Sequence, residues 1–217
     1  VSSIDAAIML TPEIGFIKLN SFTRFAGEEF REAAQLLKDQ GMKKLVFDLR
    51  NNGGGYMEDA TDIADEFLES GKLIVYTEGR MEPRDDYWSS SRGILEETEV
   101  VILINSLSAS ASEIVAGAIQ DNDRGYIMGR RSFGKGLVQD QKELTDGSAL
   151  RLTISRYYTP TGRSIQKPYG EGVDYENDYF ARYESGELMN EDSVKVDESL
   201  RFVTEGGRVV YGGGGIY

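Results

Sequence analysis

Two short segments hold the residues with chemistry: Ser108-Ala109-Ser110-Ala111-Ser112-Glu113 and Phe133-Gly134-Lys135-Gly136-Leu137-Val138-Gln139. The middle serine precedes the lysine by 25 residues. The chain contains no histidine and no cysteine. That excludes a Ser-His-Asp triad and a Cys-His dyad, and it leaves a zinc site only carboxylates as ligands. An activated nucleophile here is a serine or threonine, and its base is a lysine, a carboxylate or an amino terminus. Serine paired with lysine meets that constraint. A lysine works as a base only when neutral. Its ordinary pKa of about 10.4 keeps it charged near pH 7, and burial disfavours the charged form. Phe133, Leu137 and Val138 are apolar neighbours able to wall such a pocket. Gln139, four residues on, has an amide that orients an amine without adding charge.

Each of these residues also has an ordinary reading. Ser110 and Glu113 have the spacing of a capping box, with serine at the N-cap and glutamate at N3. Ser108 and Ser112 compete with Ser110 for either role. Lys135 between two glycines fits a surface turn, and Gln139 fits an exposed strand position. A third segment, Asp48-Leu49-Arg50-Asn51-Asn52-Gly53-Gly54-Gly55, follows an apolar run and precedes a helical pattern. Its glycines are able to present backbone N–H groups to an oxyanion or a phosphate. The spacing matches neither G-x-x-x-x-G-K-[ST] nor G-x-G-x-x-G. A plain tight turn, with Asp48 and Arg50 paired, stays open.

The elements that position these segments follow from periodicity. Strands are predicted at 14–19, 43–49, 73–76, 100–104, 126–128, 138–144 and 149–157, and helices at 27–40, 57–70 and 110–121. The 43–49 strand is dense in apolar residues and reads as central, and 100–104 reads as buried on both faces. Asp146-Gly147 reads as a hairpin turn. Strands alternating with helices over the first 130 residues give an α/β core with parallel pairs. A nucleophile at Ser110 would then sit between a strand end and a helix N-terminus, where ligands of open α/β sheets bind and where the helix dipole favours negative charge. Past Pro160 the periodicity fades. Tyr175, Tyr179, Phe180 and Tyr183 read as an aromatic patch docking the tail, 192–206 as holding a short helix, and 212–215 as frayed.

Composition narrows the class. The length of 217 residues suits one domain, or one with an appendage. A net charge of -13 argues against nucleic acid as a partner. From Glu171 to Glu205 there are eleven acidic residues against three basic ones, a net of -8, which leaves -5 for the rest. That shift marks a separate acidic segment. No apolar run is long enough to span a membrane as a helix, and residues 1–4 do not have the pattern of a secretory signal.

Taken together, Asp48 to Gly55, Asn105 to Asp121 and Gly129 to Gln139, in this order, resemble the carboxy-terminal processing peptidases, or tail-specific proteases. The resemblance runs from about Ile14 to Lys167. It implies a crotonase-like (ClpP/crotonase-related) mixed-sheet α/β core with flanking helices, followed by an irregular acidic C-terminal extension. The implied division is a linker end at 1–12, a protease core at 13–168, and an extension docking on the core at 169–217. The implied activity is serine endopeptidase action near the C-terminal tails of proteins. Ser110 would be the nucleophile, Lys135 the general base, Gln139 the residue holding its amine, and the N–H groups of Gly54 and Ala111 the oxyanion hole. No metal or cofactor is implied. The implied partners are protein or peptide C-terminal tails, with a homo-oligomer left open, and the implied location is the bacterial envelope, in the periplasm. Gly53 replaces a proline or serine common in the family. The PDZ domain usual before the core has no room here, so the chain reads as an excised core. Two rivals stay open: a catalytically silent peptide-binding or scaffolding module on the same fold, and a different acyl-transfer enzyme.

Overall fold

The computed structural model describes residues 2–170, 174–175 and 177–217. Its first half runs β1 (Ile4–Met9), β2 (Ile14–Leu19), α1 (Ala26–Asp39), β3 (Lys44–Asp48), α2 (Met57–Asp65), β4 (Leu73–Glu78), β5 (Asp85–Trp88) and β6 (Glu99–Ile104). Then follow α3 (Ala111–Asp121), β7 (Tyr126–Gly129), β8 (Leu137–Glu143), β9 (Ala149–Tyr158), α4 (Asp178–Glu184), β10 (Arg201–Val203) and β11 (Val209–Tyr211). The main sheet has the order β1-β2-β3-β6-β7. The pairs β2–β3, β3–β6 and β6–β7 are parallel. This is the mixed α/β architecture that the alternation of patterns predicts, with β3 in the middle.

Three expectations need correction. Residues 4–9 are not the end of a linker: they pair antiparallel with β2 as an edge strand. Their own alternation is weak, and what recruits them is the row of unpaired backbone groups that β2 would otherwise expose. The strand at 99–104 is buried on one face only. Val100, Ile102 and Ile104 are buried, whereas Val101 and Leu103 are half-buried. The helix predicted over 57–70 stops at Asp65, although Phe67 and Leu68 beyond it still enter the core.

On the buried face, α1 contributes Phe30, Ala34 and Leu37, and α2 contributes Ala60, Ile63 and Ala64. The rings of Phe30, Phe47 and Phe67 form a cluster with centroids 4.8–6.2 Å apart. Every residue of α3 is buried. Its polar members Glu113, Gln120 and Asp121 therefore need partners, because an unpaired buried polar group is costly. Arg163, fully buried, donates to Asp121 and Gln120. A second, antiparallel sheet has the order β5-β4-β9-β8. Its β8–β9 hairpin turns through Asp146-Gly147, with Gly147 at φ +84°.

The C-terminal segment departs from expectation in two ways. The run 212–215 has no regular structure, but it is not frayed. Gly215 donates to the Ile165 carbonyl at 2.8 Å, Ser132 donates to the Ile216 carbonyl at 2.9 Å, and Ile216 is fully buried. A Cβ on Gly215, at φ +97°, would lie 2.7 Å from Ser132 Oγ. Glycine is what lets the strap come so close. Of the four aromatics, Tyr175 packs against Phe133 and Tyr169, while Tyr179, Phe180 and Tyr183 are exposed, the first two meeting edge to face with ring centroids 6.0 Å apart.

Charge anchors α4 instead. Arg182 is buried and donates to Glu187 and to the carbonyls of Arg131 and Ser132, and Arg131 binds Glu187 through two nitrogens at 2.7 Å. Burial pushes the Glu187 carboxyl up, but Arg131 and Arg182 more than offset this and hold it below its ordinary 4.5. A depressed carboxyl stabilises the fold above its unfolded pKa and loses that contribution as pH falls through the folded one. Glu187→Gln should therefore lower Tm at neutral pH, and the gap from wild type should close as pH drops below 4.5. Thermal melts across that range check it; a gap independent of pH would refute the ion-pair account.

Candidate active site

Ser110 is the N-cap of α3 and sits at φ +57°, ψ -114°. A non-glycine residue there carries strain on the order of 1–3 kcal/mol and persists only where its surroundings over-determine it. They do. The Ser110 N–H donates to Glu113 Oε2 at 2.9 Å, and its carbonyl accepts from the N–H groups of Glu113 and Ile114 and from the Tyr157 hydroxyl. The three candidate serines now separate. Ser108 Oγ donates to the Leu49 carbonyl at 2.8 Å, and Ser112 Oγ donates to the Asn52 carbonyl at 2.9 Å. Both are fully buried and structural. Ser110 alone of the three lines an open cleft of about 710 Å³, together with Gly54, Ala111, Lys135, Gln139 and Tyr157.

All five predicted site residues thus border one cleft. Lys135 comes from the β7–β8 loop and is half-buried; Gln139 is on β8 and exposed. Among the described residues, neither side chain makes a hydrogen bond. The pocket wall also differs from expectation. Leu137 and Val138 line the cleft, but Phe133 turns away to Lys167, whose ammonium lies 4.0 Å from its ring centroid and 4.1 Å from that of Tyr175.

The two expected oxyanion donors are not equivalent. Among the described residues the Ala111 N–H has no acceptor, as suits the first residue of a helix. The Gly54 N–H donates to Asn52 Oδ1 at 2.9 Å. Gly54 has φ +97°, and a Cβ there would lie 2.7 Å from both the Ala109 carbonyl oxygen and Ser110 Cβ. Only glycine allows this loop to press against the Ser110 turn. Asn52, fully buried, also donates through Nδ2 to the Leu19 carbonyl, and its own carbonyl accepts from Ala109 N–H and Ser112 Oγ. Asp48 and Arg50 pair, as one sequence reading allowed, with Arg50 Nη2 2.7 Å from Asp48 Oδ2. Burial pushes the Asp48 carboxyl up, and the Arg50 hydrogen bonds and charge bring it below its ordinary value.

Glu113 does more than cap. Its Oε1 accepts from Ser132 Oγ at 2.5 Å and Gly134 N–H at 2.6 Å. Its Oε2 accepts from the N–H groups of Ser110 and Lys135, both at 2.9 Å. Burial pushes this carboxyl above its ordinary value, and the four hydrogen bonds offset that shift only in part. Three of the four donors are backbone N–H groups, which only donate, so both carboxyl oxygens serve as acceptors here. Serine followed three residues later by glutamate was the only local signal; that the glutamate also holds the lysine loop, 22 residues away, had none.

A sequence model of peptidase family S41 matches residues 13–177. The chain belongs to peptidase family S41. Among S41 relatives, it is 40% identical over 155 residues to a carboxyl-terminal-processing protease of Picosynechococcus sp., covering 71% of this chain and 37% of that one. It is 38% identical over 155 residues to a chloroplastic C-terminal processing peptidase of Tetradesmus obliquus, covering 71% and 33%. The solved photosystem II D1 C-terminal processing protease superposes with a TM-score of 0.65 at 37% identity, over 76% of this chain and 44% of that one. The chain therefore spans roughly a third of the length of these curated S41 relatives.

Proposed function

We propose that this chain is the catalytic core of a serine endopeptidase that cleaves proteins near their C-terminal tails. Ser110 Oγ attacks the scissile carbonyl carbon while Lys135 Nζ takes its proton. Negative charge then develops on the carbonyl oxygen, beside the Ala111 N–H and the N-terminus of α3. The Gly54 N–H joins when it is shared with, or released by, Asn52. Collapse expels the amine, which receives the proton from Lys135, and water then releases the acyl group by the reverse sequence. Gln139 orients the amine. One observation carries the reading: of three clustered serines, only Ser110 is in the cleft, in a strained backbone, facing the loop of Lys135.

The S41 membership supports a crotonase-like core at 13–168, with 169–217 as an acidic extension docked on it. The relatives' names support C-terminal tails as substrates and, in the chloroplastic ones, an organellar setting; for this chain the corresponding proposal is the periplasm of a bacterial envelope. A PDZ domain elsewhere in the full protein and self-association are compatible with this. The rival is a silent peptide-binding module. A fluorophosphonate probe should label Ser110, and the chain should cut a peptide with a free C-terminus near that end, with kcat/KM climbing as pH rises. Peptide binding without labelling or cleavage would favour the silent module.

A further inference from the structure

Tyr157, on β9, has no task in the chemistry above. It is buried, and it lines the cleft with Ser110 and Lys135. Its hydroxyl has one proton and two carbonyl acceptors: Lys135 O at 2.6 Å and Ser110 O at 3.1 Å. The Ser110 carbonyl has other donors, the N–H groups of Glu113 and Ile114. Among the described residues, Tyr157 is the only donor to the Lys135 carbonyl. The N–H groups of the same two residues are bound by Glu113. Nucleophile and base are thus gripped at both backbone polar groups by the same two side chains.

We infer that Tyr157 is a positioning residue that sets the separation of Ser110 and Lys135, acting through the Lys135 carbonyl. This rests on the serine–lysine reading of the cleft. The shorter of its two bonds goes to the base, and among the described residues it is the one bond made to the Lys135 carbonyl. Burial pushes the phenol well above its ordinary value, so it stays a donor at every working pH. Its backbone N–H bonds the Gly136 carbonyl at 3.1 Å, which a phenylalanine would retain. Removing the hydroxyl therefore frees the Lys135 carbonyl and leaves the strand attached. A reacting pair displaced by about 1 Å loses about 100-fold in rate.

Tyr157→Phe should lower kcat on a C-terminal-tail peptide by about 10- to 100-fold with little change in KM. Labelling of Ser110 by the fluorophosphonate probe, read on the folded fraction, should slow by a similar factor. A merely structural role would lower Tm and leave both rates per folded molecule unchanged. Phe30→Leu, in the core away from the cleft, supplies that reference. Incorporating 3-fluorotyrosine at position 157 keeps the ring and the hydroxyl and should restore kcat. If Tyr157→Phe keeps kcat within about twofold of wild type while Ser110→Ala is inactive, the positioning role is overturned and the serine–lysine reading stands. If Ser110→Ala is active, the reading beneath it falls.

Discussion

Ser110→Ala and Lys135→Ala should each abolish peptide hydrolysis, with a loss of about 10⁴-fold or more, and leave the protein folded. The two variants differ in what else they remove. Ser110 caps α3, so its alanine variant should also lose about 1 kcal/mol of stability. Alanine does not relieve the backbone strain, because φ +57° is as unfavourable for it as for serine. Among the described residues, the Lys135 amine has no hydrogen-bond partner, so its removal should leave Tm nearly unchanged. Because the pair acts as a unit, the double variant should be no worse than either single one. Kinetics and melts on all three proteins check this. Wild-type turnover from Ser110→Ala with a lowered Tm would mean that the serine only caps.

Glu113→Gln should lose both activity and stability. The change is nearly isosteric, but it replaces one acceptor oxygen by an NH₂ that must face donors. Either Ser132 Oγ and Gly134 N–H, or the N–H groups of Ser110 and Lys135, would meet it. An unsatisfied buried polar group costs about 1–3 kcal/mol, and here two donors are affected. kcat should fall by at least about 100-fold, since the loops bearing nucleophile and base lose their common anchor. The signature is the combination: Lys135→Ala loses rate without Tm, whereas Glu113→Gln loses both. A glutamine variant with full activity would show that the carboxylate does not hold the site together.

Gly54 illustrates how a local pattern and a folded environment divide the work. Three successive glycines announce a loop whose backbone approaches something closely. That the approach is to Ser110 depends on β3 and β6 lying side by side, whereas the bond from the Gly54 N–H to Asn52 spans only two residues of the loop itself. Phe133 shows the reverse. Its place beside Lys135 suggests a pocket wall, but Lys167 and Tyr175 compete for its ring, and both come from outside the motif. The C-terminal glycines read as loose because glycine costs entropy to order; bonds from Gly213 to the Ser164 carbonyl and from Gly215 to the Ile165 carbonyl offset that cost.

The sequence by itself determined which reagents are available. Without imidazole or thiol, the nucleophile left was a serine or threonine and the base a lysine, a carboxylate or an amino terminus; the resemblance to a family singled out Ser110 and Lys135, and apolar periodicity set the order of strands and helices around them. Only the tertiary structure decided which of three serines faces the cleft, that Glu113 and Tyr157 grip both halves of the site, and that β1 completes the sheet. The contacts that decide them join distant positions: Glu113 and Lys135 are 22 apart, Tyr157 and Ser110 are 47 apart, and Ser112 and Asn52 are 60 apart. Periodicity reports the environment of one element at a time, whereas such contacts arise only when separate elements close on each other.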